Sequence, residues 1–145
     1  MSPTLKTIFS FSIVIAALIS WIRLKKINPA YYPFILLIWI GLLNELISYF
    51  IIRDGHSTAF NNNIYSLLES LLILLQFERW GLFNRSKYLF VALLTSLPLF
   101  WVIETFFVKG IDQFITYFRI YYSFLVVLMS INIINEQLIS ERKNI

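Results

Sequence analysis

Long apolar runs separated by short polar segments occupy the whole chain. Five of them, at about residues 7–23, 31–52, 63–80, 88–108 and 114–135, come close to the length of a membrane-spanning helix. Such a helix needs about 20 mostly apolar residues, because each residue advances ~1.5 Å through a hydrocarbon layer ~30 Å thick. The runs are continuously apolar, whereas a barrel strand alternates over ~10 residues. In lipid, only a helix satisfies its own backbone amides within one segment. The pattern predicts an all-α integral membrane protein, a compact bundle of five transmembrane helices forming one domain over residues 1–145.

The connections are short, which forces neighbouring helices to run antiparallel. Asn28-Pro29 closes the first connection, and Pro33 falls in the first turn of the next helix, where its missing N–H costs little. Asp54-Gly55 marks a turn beside His56, the only histidine, which reads as a solvated loop residue. Asn61-Asn62-Asn63 is expected to cap the third helix, since asparagine favours that position. Pro98 interrupts the fourth run and removes the backbone bond to Leu94, so Thr95 and Ser96 are expected to satisfy the freed groups. In the first run Ser12, Ala16 and Ser20 form a stripe of small residues that admits a close neighbour.

Lysine and arginine set the orientation. Arg23, Lys25, Lys26, Arg79, Arg85, Lys87, Arg142 and Lys143 fall on one side of the predicted bundle, against Lys6, Arg53 and Lys109 on the other. The positive-inside bias places the N-terminus outside and the C-terminus in the cytoplasm, which an odd number of spans requires. Trp21, Tyr31, Tyr32, Trp80 and Tyr88 lie at the predicted cytoplasmic ends, where amphipathic rings favour the headgroup layer. A secretory signal fits the first run less well, because its positive cluster follows the run instead of preceding it.

Composition agrees. Apolar residues make up 59% of the chain and charged residues only 14%. That balance excludes an ordinary soluble enzyme and a disordered tail. The net charge of +4 is scattered between apolar runs, so no nucleic-acid partner is expected. Without cysteine there is no disulfide and no thiolate metal site, and neither a metal nor a cofactor is expected. The mixture of Ile, Phe, Asn and Lys suits an AT-rich bacterial genome and a bacterial cytoplasmic (inner) membrane, with the lipid bilayer as first partner.

Chemistry is expected where ionisable groups enter the spans, since each costs at least ~2.5–3.5 kcal/mol on insertion. Four do so: Glu45, Glu69, Glu104 and Arg119. At the helical rise they lie roughly 10, 10, 6 and 8 Å below the outer ends of their helices, and so share the outer half of the bilayer. Asn62, Tyr65, Ser66, Glu69 and Gln76 follow helical spacing along one face of the third helix, which is expected to be central with this stripe inward. Three carboxyls and one guanidinium cannot all pair. Arg119 bridging to Glu69 or Glu104 would leave a carboxyl over, suited to a proton or to a small polar or cationic ligand. The site expected is Glu45, Glu69, Glu104 and Arg119 with Asn62, Tyr65 and Ser66, in a transporter, channel or ligand or proton sensor. The alternative is a non-catalytic structural or partner subunit, in which the same charges hold helices together. Such a short chain is expected to act as a homo-oligomer or beside a partner membrane subunit. No metalloprotease, phosphate-loop or serine-hydrolase motif points to catalysis.

Overall fold

The computed structural model describes the backbone of residues 3–142 and the side chains of residues 13–139. The apolar runs become helices: α1 (Pro3–Arg23), α2 (Tyr32–Arg53), α3 (Ala59–Arg79), α4 (Lys87–Val102) and α5 (Tyr117–Arg142). Single 3-10 turns at Leu24–Lys26 and Pro29–Tyr31 join α1 to α2. Past Val102 the helix widens into a π-helical segment, Ile103–Lys109. There is no strand among the described residues. Three helical stretches, Pro29–Arg53, Lys87–Lys109 and Tyr117–Ile139, are long and apolar enough to cross a membrane.

Local chemistry explains where the helices stop and start. The Asn28 side chain accepts the Ala30 N–H at 3.0 Å, with Pro29 in the first turn. Gly55 (φ +77) and Gly81 (φ +88) end α2 and α3 in the left-handed conformation that glycine adopts without strain. Both ends carry the paired bonds of a Schellman closure, Gly55 N–H to Ile52 and His56 N–H to Ile51, then Gly81 N–H to Glu78 and Leu82 N–H to Phe77. The asparagine triplet does not cap α3. That helix begins four residues earlier than expected, at Ala59 after Thr58, and Asn61–Asn63 lie inside it with side chains turned to other elements. α5 begins at Tyr117 instead of 114, because residues 111–115 form a loop tied to α3.

Packing is layered around α3, which touches α2, α4 and α5, as the central position expected of it requires. The apolar core lies between α3, α4 and α5, with Leu74, Phe77, Leu97, Phe118 and Met129 buried in it. α1 packs on α2 and buries Ala17 and Ser20, whose hydroxyl donates to the Ala17 carbonyl at 2.7 Å. Ser12 of the small-residue stripe lies outside the described side chains. Large apolar residues on α2, α4 and α5 face outward along most of their length. At Pro98 the hydroxyls of Thr95 and Ser96 turn to the carbonyls of Val91, Ala92 and Leu93, so neither compensates Leu94.

Candidate functional site

Glu104 stands apart from the other three charges. The wide π turn carries its side chain into the interior, where it is 2% exposed. There Oε1 accepts the backbone N–H of Thr116 (2.8 Å) and Tyr117 (3.0 Å), and Oε2 accepts that of Phe118 (2.5 Å). These are the open donors at the start of α5, where the helix dipole also favours negative charge. Glu104 is thus the N-terminal cap of α5, supplied from the preceding helix. Lys109 lies 4.0 Å from Oε1 and spends its donors on the Phe114 carbonyl and the Thr116 hydroxyl.

Arg119 follows Phe118 directly in the first turn of α5 and makes neither of the ion pairs expected of it. Its Nε donates to the Ser66 hydroxyl at 3.1 Å, and Nη2 reaches the Asn62 carbonyl at 3.5 Å. Among the described residues no carboxylate comes within 4.0 Å of the guanidinium. Glu69 instead accepts a bond from the Tyr122 hydroxyl at 2.8 Å. Ser66 and Arg119 explain each other, because the serine bonds back to the Asn62 carbonyl (2.9 Å) and presents its lone pairs to Nε.

These residues share one groove. α2 and α5 flank α3 but barely touch each other, and the face of α3 between them carries Asn62, Tyr65, Ser66 and Glu69. Tyr65 reaches towards α2, where its hydroxyl lies 3.5 Å from the point a side chain at Gly41 would occupy. Glu45, one turn beyond Gly41 on α2, is exposed at the rim. The stripe expected to face inward is therefore split. Ser66 is buried, whereas Asn62, Tyr65 and Glu69 are half-buried on the groove floor.

No family model, curated protein or solved structure matches the chain. The chemistry of the groove is therefore read from its own side chains.

Two amides of α3, expected as a helix cap and as part of the inward stripe, instead tie α3 to neighbouring segments. Asn63, 1% exposed, donates to the Gln113 carbonyl (2.8 Å) and accepts the Ile115 N–H (3.2 Å), while its own carbonyl takes the Trp101 indole N–H (2.9 Å). Gln76, near the other end of α3, donates to the Ala30 carbonyl (2.9 Å) and accepts the Phe34 N–H (3.0 Å). A third set, Asn61 with Asn44 and Ser48, ties the start of α3 to α2 at 2.9–3.0 Å. The signal was present in the sequence as amides inside apolar helices, where a polar group must find a partner. Among the described residues no three His, Asp or Glu side chains converge to hold a metal ion.

Proposed function

We propose that this chain is a five-span bundle of a bacterial cytoplasmic membrane, N-terminus outside, that takes a proton or a small cationic or polar ligand into the groove between α2 and α5. It would act as a transporter, channel or sensor. One observation carries this reading: Glu69 and Arg119 are half-buried in one groove, and each is satisfied only by neutral groups. Charges whose role is to fasten helices close on each other or on backbone donors, as Glu104 does. With Glu45 at the rim, the groove holds two carboxyls against one guanidinium, a balance that favours a cation or a proton. α3 is the most polar of the helices and is not among those apolar enough to cross a membrane unaided, so its central position is what supports placing it there. It has 21 residues. At the helical rise that length spans roughly 31 Å, enough to cross a hydrocarbon layer. Its amides and hydroxyls are bonded inside the bundle, as lipid requires.

Purified protein in sealed vesicles tests the reading. An imposed proton or monovalent-cation gradient should drive a flux or change tryptophan emission in the native chain, and Glu69→Gln should remove the response while leaving the helix content intact. A response of equal size in Glu69→Gln refutes the groove as the site.

The exposure of Glu45 favours a second reading. A carboxyl on the outer flank of a hydrophobic helix is costly unless another polypeptide covers it. On that reading the groove receives a helix of a second copy or of a partner subunit. Cysteine cross-linking from position 45 separates the two, because only the second reading produces a linked species.

A further inference from the structure

Between the end of α1 and the first half of α2 lies a cavity of about 270 Å³ lined by Trp21, Leu24, Tyr32, Ile35, Leu36 and Trp39. No charged side chain lines it. Trp21 and Trp39 meet edge to face with centroids 5.6 Å apart. That contact gives the cavity a stiff aromatic wall. Ile35 is buried at its base, while Trp21, Tyr32 and Leu36 are each about half exposed or more, so the cavity opens sideways. The backbone that forms its mouth carries Arg23, Lys25 and Lys26, all exposed. Among the described residues none of the three is in an ion pair.

An apolar slot beneath a cluster of unpaired cations has two demands. A soluble anion answers the charge and leaves the slot empty. A neutral lipid fills the slot and leaves the charge unanswered. We propose that this cavity binds one anionic phospholipid, its acyl chain between α1 and α2 and its phosphate against Lys25, Lys26 and Arg23. Basic pockets between membrane helices on the cytoplasmic side hold acidic headgroups by this combination, and flanking Trp and Tyr rings belong to the same depth. The site is distinct from the groove but rests on the chain being embedded in a bilayer.

Tryptophan quenching by brominated lipid tests it. The protein is placed in mixed vesicles of phosphatidylglycerol and phosphatidylcholine in which one lipid or the other carries bromine on its acyl chains. The difference between the native chain and Trp21→Phe/Trp39→Phe isolates the emission from the cavity. Brominated phosphatidylglycerol should quench that component with an apparent preference of roughly tenfold or more over brominated phosphatidylcholine. Arg23→Gln/Lys25→Gln/Lys26→Gln should bring the ratio close to one. Equal quenching of the native chain by both lipids overturns the lipid site alone, as does a preference that survives the triple substitution. Quenching by neither lipid overturns the membrane placement, and the site with it.

Discussion

The carboxylate of Glu104 receives the backbone N–H of Phe118 at 2.5 Å, so a side chain from one helix closes the open end of the next. Replacing it by glutamine removes the charge and turns an amide NH₂ towards donors that need an acceptor. Glu104→Gln should destabilise the fold by about 2–3 kcal/mol, since hydrogen bonds to a charged acceptor and the helix dipole are both lost. Denaturant titration in detergent reads this directly. The folded fraction should keep its response to cations, because Glu104 is spent on the backbone.

Thr105, beside it, is fully buried, and its hydroxyl has no partner. A buried hydroxyl that bonds nothing carries a desolvation cost without return. Thr105→Val keeps the shape and should leave stability unchanged or raise it by up to ~1 kcal/mol. A loss of more than that in the same titration would reveal a bond the side chain makes elsewhere.

Asn63 and Asn62 are neighbours with unequal duties. Asn63 holds the loop before α5 through both ends of its amide, whereas Asn62 donates to the Thr58 carbonyl one turn back and meets Asn44 at 3.4 Å. Asn63→Ala should cost ~2–4 kcal/mol by stranding buried backbone groups, and Asn62→Ala less than ~1 kcal/mol. Comparing the two unfolding midpoints checks the ranking.

Arg119 fixes the sign of what the groove prefers. Arg119→Gln keeps a donor for Ser66 and removes the only positive charge among the described residues of the groove. A cation should then bind more tightly, with the half-saturating concentration falling by roughly tenfold in low salt and by less as salt screens the field. Weaker binding of cations in this variant would mean that the guanidinium holds the ligand, and that the ligand is an anion.

The helices were legible because apolar runs and turn residues are local signals. Gly55 and Gly81 act through their own backbone, and Asn28-Pro29 through a side-chain bond two residues on and a fixed φ, so each ends or begins a helix from purely local contacts. The start of α3 was not legible. Asn61–Asn63 have the composition of a cap, yet their amides are satisfied by α2, by Thr58 and by the loop before α5, and nothing nearby in sequence encodes those partners. The helical rise was enough to bring Arg119 and Glu69 level with polar partners on the facing helix, since Arg119 meets Ser66 and Asn62, and Glu69 meets Tyr122. Who bonds whom was not legible. Glu104 lies beside the start of α5, but backbone N–H groups there take its carboxylate before the guanidinium of Arg119 can. The exposure of Glu45 escaped too, because depth along a helix says nothing about which way a residue faces.

The seven residues Ile103–Lys109 wind as a π-helix. Each bond there closes over one residue more than in an α-helix. Taking out Ile103, the residue of that stretch before Glu104, would move Glu104 back one position and swing it by ~100° about the axis. The carboxylate would then point away from α5, with every residue of both helices unchanged. Chain length before Glu104 therefore works as an angular gauge, and a chain shortened there by one residue must start α5 by some other means.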